Sequence, residues 1–308
     1  MNTLKLGSSA LTSSRLAYGC WRIARTDDVQ QTAGREAVIA AYDAGYTLFD
    51  HADIYGEGRA ESLFGQVLDE VPGMRESVTI ATKCGIREAD NPAAGDPMRY
   101  DFSADHIIRS CEQSLRRLRI DTIDLYQLHR PDWLMDPSEV ADACEKLRAD
   151  GKVREFGVSN FRPSQVSALE KACPMHLQAN QMEISLLARA PFTDGTLDQC
   201  LADRMTPLAW SPLAGGLLAD GARHLLPGQQ GYDPAPTLKE IDKLARQLAT
   251  SRGTIALAWL LRHPSNIIPI IGSTTPEKLK EAVEATYLKL SREEWYRLLE
   301  AARGERLP

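Results

Sequence analysis

The sequence predicts an α/β fold in which eight parallel strands close into a (β/α)8 TIM barrel, because eight short β-prone runs alternate with longer amphipathic stretches along almost the whole chain. The length agrees: one α/β barrel commonly occupies about 250 residues or more, and 308 residues read as one domain spanning 1–308. A third observation concerns polarity. Asp50, Lys83 and His129 stand at the C-terminal ends of consecutive predicted strands, the end at which barrel enzymes gather their functional groups.

Residues 3–14 read as an N-terminal β-hairpin turning at Gly7-Ser8-Ser9, placed to plug the barrel floor. The predicted strands are 16–20, 47–50, 78–83, 123–129, 153–160, 176–181, 205–210 and 267–271. Helix starts follow several of them. Ser103, Asp136-Pro137 and Arg162-Pro163 supply a capping residue or a first-turn proline, and Gly45 and Gly151 fall where helices should stop. Two links are long and rich in turn-forming residues, 87–101 and 214–236. Long links of this kind usually serve a site, and both are expected on the C-terminal face.

Composition narrows the function. With 43% hydrophobic and 25% charged residues the chain can bury a large core, and its net charge of -6 opposes broad attraction to nucleic acid or anionic lipid. The first residues lack a basic start followed by an apolar run, and no apolar stretch is long enough to span a bilayer, which predicts a cytoplasmic protein. Six cysteines occur without C-x-x-C pairs, so reduced thiols are expected and neither a disulfide framework nor a zinc knot. No metal-ligand motif is present in the sequence.

Strand alternation tells which of the polar residues face the barrel axis. In VTIATK, Val78 and Ile80 point to the helices and Thr79, Ala81 and Lys83 point inward. Tyr55, just past Asp50, can lean over the same mouth, whereas His51 should point away from it. Each residue has an ordinary reading: a strand-end lysine is commonly a solvated rim group, an aspartate after a strand caps a turn, and a loop tyrosine packs. Their joint placement is what singles them out.

The strings LFDHADIYGEG (48–58), ATKCG (81–85), LYQLHRPD (125–132), GVSNF (157–161), NQMEISLL (180–187), AWSPLAGGLL (209–218) and IPIIGSTTPEKLKEAVEA (268–285) resemble the aldo-keto reductases. The resemblance is greatest to a bacterial oxidoreductase subgroup with an FDHADIYG motif. It implies an NADP(H)-dependent oxidoreductase that reduces aldehydes or ketones to alcohols by hydride transfer. It gives Tyr55 the role of general acid, Lys83 that of the lysine beside it, Asp50 that of the carboxylate holding the lysine, and His129 that of the imidazole orienting the carbonyl. A free phenol has a pKa near 10, and a cation in contact lowers it, so Lys83 is expected to bring Tyr55 down.

The same resemblance implies a cofactor site. Ser159, Asn160 and Gln181 match residues that hold the nicotinamide carboxamide, and Trp210 matches a ring that stacks on it. Ser211, Pro212, Leu213, Gly215 and Leu217 match the loop along the pyrophosphate. Gly272, Ser273, Thr274 and Lys278 match the 2′-phosphate site, although many relatives have arginine at the position of Lys278 and asparagine at that of Ala282. NADP(H) is therefore the expected cofactor, with NAD(H) the alternative. Trp21, Tyr55, His129 and Trp133 are expected to contact a small-molecule carbonyl substrate, and an apolar lining favours a neutral or aromatic one. A monomer or small homo-oligomer is expected. A nicotinamide-binding sensor with slow turnover is the second reading, and the intact four-residue site argues against it.

Overall fold

The computed structural model describes residues 1–24, 28–219 and 233–308, with the side chains of 28–30 also outside the description. In chain order the strands are β1 (Thr3–Lys5), β2 (Thr12–Ser14), β3 (Ala17–Gly19), β4 (Leu48–Asp50), β5 (Thr79–Cys84), β6 (Ile86–Arg87), β7 (Arg99–Tyr100), β8 (Ile123–Leu128), β9 (Val153–Ser159), β10 (Leu177–Glu183), β11 (Thr206–Trp210) and β12 (Ile268–Ile271). Eight of them, β3, β4, β5, β8, β9, β10, β11 and β12, close into a barrel in that order, with β12 returning to β3. Each neighbouring pair is parallel, as in Gly19↔Asp50 and Lys83↔Gln127.

Alternation sorts the side chains as the sequence predicts. Ala17, Leu48, Ala81, Leu125, Ala179, Leu208 and Ile268 form an apolar barrel interior, while Val78, Ile80, Tyr126 and Val158 belong to the larger layer between strands and helices. Burying one such side chain stabilises the fold by roughly 1.5–3 kcal/mol. The floor is closed by the β1–β2 hairpin, whose Leu4, Leu6 and Leu11 pack on that interior. Gly7 at its turn has φ +58 and donates its N–H to Thr206 Oγ1 at 2.7 Å. A Cβ there would lie 2.4 Å from Gln178 Oε1, so only glycine lets the turn sit this close to β10.

Several boundaries differ from expectation. The first barrel strand ends at Gly19, because Cys20–Arg22 turns into a 3-10 helix. Asp136 caps its helix by accepting from Ser138 N–H, but Ser103 does not cap: its hydroxyl donates to Asp101 Oδ1 at 2.6 Å instead. The link at 87–101 is not wholly irregular, since β6 pairs antiparallel with β7; two-residue strands are too short for periodicity to announce. Of the second long link, 214–236, residues 220–232 lie outside the described residues. All six cysteines are buried and free. Among the described residues there is no cluster of metal-ligating side chains, and no helix is long and apolar enough to cross a membrane.

Candidate active site

The barrel brings Asp50, Lys83 and His129 to one mouth, as their strand-end positions predict. Asp50 ends β4, Lys83 lies one residue before the end of β5, and His129 follows β8, its N–H donating to Cys84 O at 2.9 Å. Tyr55 is carried there by a tight loop in which Gly56, Glu57 and Gly58 have φ of 58, 58 and 84.

Lys83 is fully buried and its amino group is saturated. Nζ donates to both oxygens of Asp50 at 2.9 and 2.8 Å, to His51 O at 2.6 Å and to the Tyr55 hydroxyl at 3.3 Å. Burial alone disfavours an ammonium ion; the Asp50 carboxylate and Tyr55 reverse this, and the Lys83 pKa lies above its ordinary value. Lys83 is therefore a fixed positive charge. Its charge does not bring Tyr55 below the usual phenol range, however. Burial raises the phenol most, Lys83 opposes that, Asp50 adds to it, and the net direction is upward. The expectation of a lowered phenol is corrected by burial, which composition and spacing cannot show; Tyr55 is a protonated acid at neutral pH.

His129 is neutral too. Burial, followed by the charges of Lys83 and Arg130, holds its imidazole well below the ordinary value. Its ring lies edge-on to Tyr55 with centroids 6.0 Å apart, and Nδ1 has no hydrogen-bond partner among the described residues. His51 behaves as alternation predicts: it is buried away from the mouth against Phe64, and burial and then Lys83 push its pKa to about 3. Cys20 and Cys84 are buried, and burial pushes both thiols well up, which makes them inert.

A second group of side chains adjoins the first. Asn160, at φ 63, donates to Ser159 Oγ at 2.8 Å and to His129 O at 3.3 Å, and accepts from Trp210 Nε1 at 3.1 Å. Gln181 donates from Nε2 to Asp50 Oδ1 at 2.8 Å, so it joins the carboxylate that holds the lysine, a contact that the sequence does not reveal.

These groups open into one cavity of about 820 Å³ that continues past Ser211, Pro212, Leu213 and Gly215 to Gly272, Ser273 and Lys278. Its size is that of a cofactor site. Ser211, Ala214, Gly215 and Gly216 all have positive φ, at 49, 49, 68 and 104, and their small side chains let backbone approach a ligand. The donors at the far end, a lysine and a helix start at Pro276–Glu284, suit an anion. The residues present fit a nicotinamide dinucleotide.

Three expected contacts are not on the cavity wall. Leu217 packs against the core, Thr274 lies outside the lining, and Trp133 is 89% exposed, touching Tyr100 edge-on at 6.4 Å. Trp21 does line the cavity. The lining also includes Arg22, Glu57, Glu88 and Arg130, which sequence reasoning did not place there. Arg130 follows His129 in LYQLHRPD, beyond the end of β8, where strand alternation no longer tells direction.

Comparison with known proteins gives the family and the fold. A model of the aldo/keto reductase family matches residues 15–303. The chain is 41% identical to the 6-dehydroglucose reductase of Novosphingobium aromaticivorans, covering 99% of this chain and 96% of that one. It is also 41% identical to the oxidoreductase YdhF of Escherichia coli, covering 96% and 95%, and 38% identical to a 6-dehydroglucose reductase of Agrobacterium fabrum, covering 97% of each. Among solved structures, a glycerol dehydrogenase from Gluconobacter oxydans superposes with a TM-score of 0.85 at 28% identity, covering 99% of this chain and 97% of that one.

Proposed function

Because the chain belongs to the aldo/keto reductase family, we propose that it is an NADP(H)-dependent carbonyl reductase with Tyr55 as the general acid. The observation that carries this reading is the buried amino group of Lys83, held by Asp50 and in reach of the Tyr55 hydroxyl. A phenol hydroxyl and a fixed cation thus stand side by side at the end of a cofactor-sized cavity, which supports the reading.

Bound NADP(H) would supply the hydride that reduces the carbonyl carbon. The chain's residues do the rest. Tyr55 donates its proton to the alkoxide that develops on the carbonyl oxygen, and the Lys83 charge stabilises the phenolate left behind. His129, neutral at working pH, offers a hydrogen bond to the same oxygen and orients it. Ser159, Asn160 and Gln181 would hold the carboxamide of the nicotinamide, and Trp210 would pack its ring against it. Ser211, Pro212, Leu213 and Gly215 would line the pyrophosphate, and Gly272, Ser273 and Lys278 would hold the 2′-phosphate.

Relatives named 6-dehydroglucose reductase make 6-dehydroglucose the first substrate to assay. The test is a panel of aldehydes and ketones, this one included, followed by NADPH oxidation and repeated with NADH. Turnover with NADPH supports the reading; no turnover of any carbonyl with either nucleotide contradicts it.

A further inference from the structure

The cavity contains an arginine whose N–H donors are not used by any hydrogen bond or ion pair among the described residues. Arg130 is half-buried on the wall beside His129, with its guanidinium carbon 5.7 Å from the centroid of the Trp210 ring. It makes no hydrogen bond and no ion pair among the described residues, so its contact with Trp210 leaves the N–H donors of the guanidinium unused. A guanidinium carries five such donors in a planar fork. Placed in a concave site, they specify acceptor oxygens on whatever occupies it.

Two kinds of oxygen could meet them, a carboxylate or a hydroxyl, and the rest of the wall decides between the two. Of the acidic groups along the cavity, Asp50 is already paired with Lys83 and Glu57 with Arg59. Glu88, just after β6, has no hydrogen bond or ion pair among the described residues and presents acceptors only. A carboxylate drawn to Arg130 would be repelled by the unpaired charge of Glu88. A hydroxyl group accepts from the guanidinium and donates to the glutamate, so a hydroxylated carbon chain satisfies both.

We propose that Arg130 and Glu88 read hydroxyl groups on the substrate carbons near the reacting carbonyl, making the enzyme selective for polyhydroxylated aldehydes and ketones. The proposal rests on the carbonyl-reductase reading and adds to it the chemistry of the substrate and the residues that recognise it. Arg130 and Glu88 act here as specificity residues and take no part in proton delivery.

The test compares glyceraldehyde, propanal and glyoxylate as substrates for the parent, Arg130→Leu, Arg130→Lys and Glu88→Gln. The parent is expected to favour glyceraldehyde over propanal in kcat/KM. Arg130→Leu should lower that ratio about tenfold, the loss expected for a hydrogen bond to a charged group, with the change carried by KM. Arg130→Lys should restore part of it. Glu88→Gln should lower the ratio less and should raise kcat/KM for glyoxylate, because a repulsive charge is gone. The Kd of NADPH, followed by its fluorescence, should stay within about twofold in every variant. A glyceraldehyde-to-propanal ratio that does not respond to Arg130→Leu overturns the proposal, as does a weakened NADPH Kd, which would assign the guanidinium to the cofactor. Binding of xylitol, titrated through tryptophan fluorescence, separates this proposal from the reading beneath it. Absence of turnover in the parent contradicts the reductase reading, whereas xylitol binding that is missing in the parent or unaltered in Arg130→Leu contradicts the role given to Arg130.

Discussion

The two ends of the cavity are built on different principles. At one end Asp50 is 3% exposed and Lys83 is fully buried, and with Tyr55 and Gln181 they hold one another through hydrogen bonds of 2.8 to 3.3 Å. At the other, Gly272 and Ser273 are half-buried and Lys278 is exposed. Burial makes the first end rigid and electrostatically strong, because little water competes with its charges. Solvent weakens each contact at the second end. On the proposed reading, fixed charge stands where the proton would move, and recognition of the cofactor's far end is left to adjustable surface groups. Single substitutions should therefore cost far more at the Tyr55 end than at the Lys278 end.

The largest effect is expected from Tyr55→Phe, which removes one hydroxyl and leaves the ring. Loss of a general acid costs about 10²- to 10⁴-fold in kcat, with the Kd of NADPH nearly unchanged; turnover beside a fluorescence titration measures both. A fall in kcat below about tenfold would place the proton donor elsewhere.

At the exposed end, Lys278→Met should weaken NADPH about tenfold, the scale of a charged hydrogen bond, and leave NADH nearly unaffected. Equal losses for the two nucleotides would show that Lys278 does not distinguish the phosphate. The comparison between the ends fails if this substitution proves as damaging to kcat as Tyr55→Phe.

A stability effect of intermediate size comes from His51. Its folded pKa of about 3 lies below the ordinary value because of burial and then Lys83, so the unfolded chain binds a proton near pH 6.5 that the folded protein refuses. The sign follows: stability is lost as pH falls through 6.5, by about 1.4 kcal/mol at pH 5.5 from this residue. Urea denaturation of His51→Leu at pH 7 and pH 5.5 should show a smaller difference between the two than the parent does; an equal difference would mean that His51 takes up its proton in the folded state. The smallest effect is expected from Trp133→Ala, since an exposed residue off the cavity wall should alter KM by less than about twofold.

The buried end was the more legible in the sequence, for a physical reason. A closed parallel barrel carries every strand end to the same place, so Asp50, Lys83 and His129 could be brought together from strand positions alone, and alternation correctly sent Lys83 inward and His51 outward. Loops obey no such rule. The paths after β8, β11 and β12 decide that Trp133, Leu217 and Thr274 leave the cavity wall and that Arg130 enters it. Nor could the sequence weigh burial against charge at Tyr55, or show that Gln181 would turn to Asp50. The glyceraldehyde ratio of Arg130 variants extends the same comparison to a third part of the cavity, where a half-buried loop residue is expected to affect choice of substrate more than rate.

Asp50 sharpens the account because it acts on Tyr55 in two directions. Directly its charge raises the phenol pKa, and through Lys83 it maintains the cation that lowers it. Asp50→Asn should therefore move the pH dependence less than removal of the lysine charge does.

The claim that Lys83 acts by its charge is tested most directly by kcat against pH for alcohol oxidation, the direction that needs the Tyr55 phenolate, in the parent and in Lys83→Met. Methionine keeps the length of the side chain and deletes the charge, so the main influence lowering the phenol's pKa is lost while burial and Asp50 remain. Should the buried Asp50 left unpaired prevent folding, Lys83→Met combined with Asp50→Asn removes both charges and gives the same comparison. The account predicts a profile moved to higher pH and a lower maximal rate, with NADP binding retained. An unchanged profile and an unchanged rate would contradict it, showing that the buried pair supports the barrel and not the chemistry.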